Sequence, residues 1–289
     1  MRNTRRNIIA DSLVVCGETL EPNLRNRRDK SCRVITFIVT EHYNMRRFLL
    51  ALTVLCLGAL TSSAITLDEI IAKNIEARGG LAKIKSLKTL VMDGTMSMAQ
   101  GMDLNFTQIQ KRPLKFRMDM SFQGMSMISA YDGTTAWSIN PMAGNKPEKQ
   151  PASEAKRMAE QADMDGLLVD WKTKGYTVEL VGPEDIDGAT AYKIKITDKD
   201  NDVKFLYIDA TTWLDVKLSM RISMMGQEAD VDMMLSNYQD VAGVQMPMLM
   251  EIRSEGQTVM SMSYSNPKVN TDIPDSRFAF PGETPATKN

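Results

Sequence analysis

From about Thr89 onward apolar side chains recur at every second residue, and this period limits what the chain can fold into more than any other feature. Phe116, Met118, Met120 and Phe122 alternate with Lys115, Arg117, Asp119 and Ser121. Tyr192, Ile194 and Ile196 alternate with Lys193 and Lys195, and Leu214, Val216, Leu218, Met220, Ile222 and Met224 alternate mostly with polar residues. Met246, Met248, Met250 and Ile252 share one face, as do Met260, Met262 and Tyr264. An extended chain points successive side chains to opposite sides, so these runs read as strands with one apolar and one wet face. Turn signals at Asp132-Gly133, Asp187-Gly188, Gly226 and Ala242-Gly243 separate them. The template predicts about eleven strands, sequential and antiparallel.

Two helical regions interrupt that pattern. Thr66-Leu67-Asp68-Glu69 reads as a helix start, with Thr66 as cap and Glu69 as its capping-box partner. Leu67, Ile70, Ile71 and Ile75 give the Leu67–Arg78 segment an apolar face, and Gly79-Gly80 stops it before a short turn at Leu81–Leu87. Pro141 to Pro151 reads as a loop. Ser153–Trp171 reads as a second helix capped by Ser153, with Met158 and Ala162 inward and Leu167, Leu168 and Trp171 closing it. The order predicts a mainly β domain, a strongly curved antiparallel sheet covered on one side by an N-terminal and a mid-chain helix.

The N-terminal region has a different character. Met45-Arg46-Arg47, the apolar run Phe48–Leu60 and the small residues Thr61-Ser62-Ser63-Ala64 have the three-part layout of a secretory signal peptide, with cleavage expected after Ala64. The run is short for a membrane span. Residues 1–44 are Arg-rich and precede this complete signal, so they read as a mis-assigned start, with Met45 the initiator, or as a basic leader. The expected organisation is therefore 1–44 leader, 45–64 signal peptide and 65–289 a single domain in the periplasm.

Cys16, Cys32, Cys56 and His42 are all the thiols and imidazoles of the chain, and all precede Ile65. The expected mature chain lacks Cys or His nucleophiles, disulfides and the usual zinc ligands. The whole chain has 35 basic and 36 acidic side chains; ten and five of these precede Ile65, leaving a net charge near −6. That balance argues against nucleic acid as a partner. A monomer with no cofactor is expected.

The chain holds 23 methionines, and only Met1 and Met45 precede Ile65. Many alternate, as in Met96/Met98, Met118/Met120, Met125/Met127, Met248/Met250 and Met260/Met262. Met is unbranched and polarisable and adapts to variable apolar shapes. A sheet face lined in this way makes a soft trough fit for acyl chains. The clearest lining is Phe116, Met118, Met120 and Phe122, because the opposite face is charged. Met96, Met98, Met125, Met127, Trp137, Leu218, Met220, Ile222, Met248 and Met250 follow, with Trp171 as a lid residue. A filled core explains any one of these equally well. A third possibility is Cu(I), for which Met-x-Met pairs supply soft ligands in oxidising compartments.

Enzyme signatures are missing. Asp185, Asp187, Asp198 and Asp200 lie in turn-forming sequence, and Asp198–Asp202 lacks the glycine and terminal glutamate of a calcium loop. No phosphate-binding glycine motif, nucleophile elbow or zinc-protease helix occurs.

Three stretches carry a family resemblance: Ile70–Gly80, Leu167–Lys172 with Gly175-Tyr176 and Val181–Gly188, and Tyr207–Leu214. Together they resemble the outer-membrane lipoprotein-sorting (LolA-like) superfamily of periplasmic carriers. The resemblance implies a half-open β-barrel of about eleven strands with helices as a lid. It implies a cavity for the acyl chains of lipoproteins or other lipids, an inner-membrane release complex and an outer-membrane acceptor. It also implies a basic residue that holds the closed state, for which Arg112 and Arg117 are candidates. A lipid or lipoprotein sensor is the other role it leaves open.

Overall fold

The structure, a computed structural model, describes residues 65–224 and 227–282. The leader, the signal peptide with its cleavage site, Gly226 and the chain end after residue 282 lie outside the described residues.

Helix α1 (Leu67–Ala77) starts as its sequence dictates. The Glu69 amide donates to Thr66 Oγ1 (3.3 Å), and the Thr66 amide donates to Glu69 Oε2 (2.8 Å). Two otherwise orphaned N–H groups are thereby satisfied. Ile70 and Ile71 are buried. Asn74 is buried with them, and its amide donates to the Trp213 carbonyl and to Asp215 Oδ1, both at 2.9 Å. Gly79 (φ +113°) lets the chain turn into α2 (Leu81–Ser86); a Cβ there would collide with the Gly243 carbonyl.

Thirteen strands follow. They are β1 (Thr89–Met98), β2 (Met102–Lys111), β3 (Lys115–Phe122), β4 (Met125–Tyr131), β5 (Ala136–Ile139), β6 (Pro147–Lys149), β7 (Thr177–Ile186), β8 (Ala189–Thr197), β9 (Val203–Asp209), β10 (Asp215–Met224), β11 (Gln227–Val241), β12 (Val244–Ser254) and β13 (Gln257–Val269). They form one open antiparallel sheet in the order β6-β5-β4-β3-β2-β1-β13-β12-β11-β10-β9-β8-β7. The expected count of about eleven is thus too low. β6 lies inside the segment read as a loop, because three edge residues show no period.

The topology forces a crossover. Two meanders meet at the β1–β13 pair, so β6 and β7 are the two free edges, and the chain joining them must cross the sheet. Helix α3 (Ala152–Ala162) begins that crossing. It is shorter than the expected 153–171 helix. Pro151 stands at the N-cap position, so Ser153 does not cap, and the helix ends at Asp163 (ψ 95°). Left-handed residues Gly166, Asp170 and Gly175 keep the following segment irregular. Apolar spacing in Leu167, Leu168 and Trp171 resembles a helix, but tertiary contacts decide otherwise.

Both faces of the sheet are partly covered. On the inner face, α1 packs on Val178, Ile194, Ile196, Leu206 and Ile208, and α3 packs on Phe116, Tyr131 and Ala136. On the outer face, the segment after β13 crosses β1–β5. Phe278 is fully buried there, and its carbonyl accepts from Trp137 Nε1 at 2.7 Å. Ile273 and Phe278 pack on Ile109.

Candidate functional site

Strand register decides which side chains share the inner face. Met120 pairs with Phe106 and Met127, Met118 with Gln108 and Ser129, and Phe116 with Gln110 and Tyr131. Across the β1–β13 seam, Met96 pairs with Met262 and Met98 with Met260; Met262 in turn pairs with Met250. Further along, Leu218 pairs with Met233, and Met220 with Val231. Period-two strands in this register make one continuous apolar floor.

Beside α3 this floor is left uncovered, and a cavity of about 1950 Å³ stands over it. Small-molecule pockets typically reach about 1,000 Å³ at most, so this space suits a long or branched occupant. Of the residues expected to line it, Phe116, Met118, Met120, Met96, Met98, Leu218, Met220, Ile222 and Met250 do so. The others sit elsewhere. Phe122 and Met127 share the face of the floor and pack against Met96, Leu104 and Phe106, but they lie outside the cavity lining. Met125 pairs with Phe122 at the far end of the β3–β4 hairpin and does not reach the cavity wall. Met248 is buried beside Leu90, Met92 and Val241, filling the closed end.

Two aromatic expectations are corrected. Trp137 pairs with Ala130, which pairs with Arg117, so all three face outward, away from Phe116. It is buried under the C-terminal segment, edge-on to Phe280 at 6.2 Å, and a four-residue strand has too little period to reveal this. Trp171 lies on the irregular segment and packs with Ile70, Leu168 and Val178 beneath α1.

Sequence reading missed several wall residues. Met260 and Met262 were legible from their spacing. Met233 was not, because Met233-Met234-Leu235 puts apolar residues on both faces. Leu167 and Tyr176 reach the wall from the crossover, whose path no local signal encodes.

The rim is charged. Lys156 and Glu160 of α3 and Lys204, Arg221, Asp230 and Arg253 of the strands all border the opening. Lys156 reaches across it: its ammonium binds Asp198 (2.6 Å), Asp202 (2.7 Å) and Asp200 (2.8 Å) in the β8–β9 turn. Glu160 binds Lys204 of β9 at 2.6 Å. Burial acts to lower the Lys156 ammonium, but the three carboxylates outweigh it and hold its pKa above the ordinary value. A lysine ammonium, not a cation site, thus gathers the carboxylates of this turn. α3 is therefore seated on β3–β5 by apolar contacts and tied to the opposite meander by charge.

This asymmetry carries a prediction. Lys156→Ala should leave the α3 seat on Phe116 and Tyr131 intact while freeing its other side. Hydrogen exchange of residues 152–176 should rise several-fold, with a loss of about 1–2 kcal/mol because Asp198 loses its cation. Unchanged exchange in that segment would show that apolar packing alone holds it.

The closed end is braced by Arg112 and Asp165. Arg112 donates to the Leu87 (2.6 Å) and Ile84 (2.9 Å) carbonyls at the end of α2, and it pairs with Asp165 Oδ1 at 2.5 Å. Lys85 binds Asp165 Oδ2 at 2.6 Å, and Arg78 donates to its carbonyl. Burial would raise the Asp165 carboxyl, but Arg112 and Lys85 overcome it and bring its pKa down to about 2. Of the two basic candidates, Arg112 thus grips the helical cover, whereas Arg117 sits on the outer face, paired with Asp119 and donating to the Arg277 carbonyl.

The fold is similar to that of solved structures. A LolA superfamily protein from Nitrosomonas europaea superposes with a TM-score of 0.52 at 16% identity, over 75% of this chain and 98% of that one.

The chain has a LolA-like fold.

A DUF1329 family protein from Desulfovibrio piger matches with a TM-score of 0.53 at 11% identity, over 75% of this chain and 98% of that one. No protein-family model matches the chain, and no curated protein matches it significantly. The LolA-like fold accounts for the resemblance stretches in structural terms. Ile70, Ile71 and Asn74 are the buried side of α1, and Trp213 is part of its seat, stacked on Tyr192 at 5.7 Å with Lys73 over its ring at 4.2 Å. Those stretches hold α1 on the sheet and contribute little to the cavity floor. The floor of this LolA-like sheet is written in its methionines instead.

Proposed function

We propose that residues 65–289 are a periplasmic carrier that holds the acyl chains of lipoproteins or other lipids over the methionine floor and releases them to an acceptor at the outer membrane. The observation that carries this reading is the unfilled cavity of about 1950 Å³, apolar below and charged at the rim. Each buried methylene contributes about 0.8 kcal/mol, so a single chain binds usefully without any specific polar contact. A flexible floor and a lid tied on one side by charge keep the affinity moderate, which a carrier needs in order to unload. An inner-membrane release complex and an outer-membrane acceptor are the partners this role calls for. No chemical step is assigned, and the protein acts as a monomer.

The test is native mass spectrometry with lipid extraction on 65–289 purified from a periplasm. Co-purifying phospholipid or lipopeptide is the expected result and would name the cargo class. A clean apo mass with no uptake of added acyl lipid would refute the carrier.

A second reading has one observation in its favour. The register sets Met250, Met262 and Met96 side by side on adjacent strands, and Met260, Met98 and Met102 likewise in the next row. Three neighbouring thioethers are a soft ligand set for Cu(I). A stoichiometric Cu(I) titration would support that role, and failure to compete with a weak chelator would end it.

A further inference from the structure

A lipid floor needs apolar side chains, and leucine would serve. This floor uses methionine, which differs from leucine in one chemical respect: its sulfur has a lone pair that attacks peroxide oxygen. Met96, Met98, Met250, Met260 and Met262 lie together around Leu104 and Phe106, and all five also border the open cavity. They are thus both clustered and within reach of any small solute that enters the trough. The chain has no cysteine after Cys56, so residues 65–289 carry no thiol that would consume an oxidant first.

We propose that this methionine cluster is an oxidation site, and that its sulfoxide form no longer holds acyl chains. The inference rests on the carrier reading. In the step, a thioether sulfur attacks the terminal oxygen of hydrogen peroxide. The O–O bond breaks, an S=O bond forms, and the departing hydroxide takes up the remaining proton as water. Sulfur is oxidised by two electrons and the peroxide is reduced by two. Each event replaces a polarisable apolar group by a strong hydrogen-bond acceptor on the floor. A ready donor is adjacent, since the Tyr264 hydroxyl lies 3.9 Å from the Met262 sulfur. Burial pushes that phenol up to about 12, so it keeps its proton at any working pH. Water and sulfoxide dipoles would then occupy the space the acyl chain needs, and the trough would empty under oxidising stress. Methionine sulfoxide reductases reverse the change, which makes the site a switch.

The experiment uses residues 65–289, a fluorescent fatty acid as probe and hydrogen peroxide as oxidant, with sulfoxides mapped by peptide mass spectrometry. Met142, 77% exposed and outside the cavity lining, is the internal reference for surface oxidation. The expected result is sulfoxide at the five cluster positions, at least a tenfold loss of probe affinity, and recovery after treatment with reductases of both sulfoxide epimers. A variant with all five changed to Leu is compared with its own untreated form; because Met118 and Met120 of the floor stay oxidisable, its affinity should fall on peroxide treatment, but several-fold less than the parent's. A second measurement needs no variant: saturating probe should protect the five positions while Met142 oxidises as before. Cluster sulfoxides without loss of affinity, or a loss of the same size in the Leu variant, would overturn the switch and leave the carrier intact. Absence of probe binding before any oxidation would overturn both.

Discussion

Replacing Met118 by Asp is expected to remove acyl binding while leaving the fold in place. Met118 sits at the centre of the floor, between the α3 seat and the methionine cluster, and it borders the cavity. In the empty protein an aspartate there can be hydrated from the open space. In the loaded protein it must be desolvated under an acyl chain, which costs several kcal/mol without a partner. A loss of 100-fold or more in fatty-acid affinity follows, with a circular dichroism spectrum like that of the parent. Ser121→Asp is the matched control. Ser121 lies on the same strand with the opposite parity, exposed on the outer face, so its variant should bind as the parent does. Equal binding by a folded Met118→Asp protein would remove this face as the lipid surface.

Asp165→Asn is expected to give the largest stability loss at a single side chain. Asp165 is 6% exposed and joins two cations from different elements, Arg112 of the β2–β3 turn and Lys85 of α2. The amide keeps the shape and removes the charge, leaving Arg112 without its carboxylate and Lys85 with Asp170 alone. A loss of about 2–3 kcal/mol follows, and a Tm lower by roughly 5–10 °C for a domain of this size. The pH dependence provides a second check. The carboxyl pKa is about 2 in the folded protein against an ordinary 3.8. A depressed carboxylate stabilises the fold above its unfolded pKa, and that contribution fades as pH falls from about 4 towards 2. The gap in Tm between parent and variant should therefore be full at pH 6 and shrink markedly by pH 2.5. A constant gap would mean that Asp165 acts through packing and not through its charge.

The strand faces were readable because their cause is local. Where one face meets charge and the other meets packing, as in Lys115–Phe122, the alternation of side chains assigns Met118 and Met120 to the inside without any knowledge of partners. The same holds for α1, where Thr66 and Glu69 close a four-residue loop and leave a mark in the sequence. The reading failed where the period was too short or broken. Trp137 belongs to a strand of four residues, and Trp171 to a segment whose apolar spacing imitates a helix.

What the chain fixed by itself was therefore the alternation, the caps, the turns and the richness in methionine, all of which depend on residues within a few positions of each other. What tertiary structure decided was the end of α3 at Ala162, the path from edge β6 to edge β7, the Lys156 tie and the Asp165 brace. Lys156 and Asp198 are 42 positions apart, and Arg112 and Asp165 are 53 apart. No local pattern links such pairs. They meet only because the sheet closes its two meanders at β1 and β13, and the connection between its free edges has to pass over the concave face.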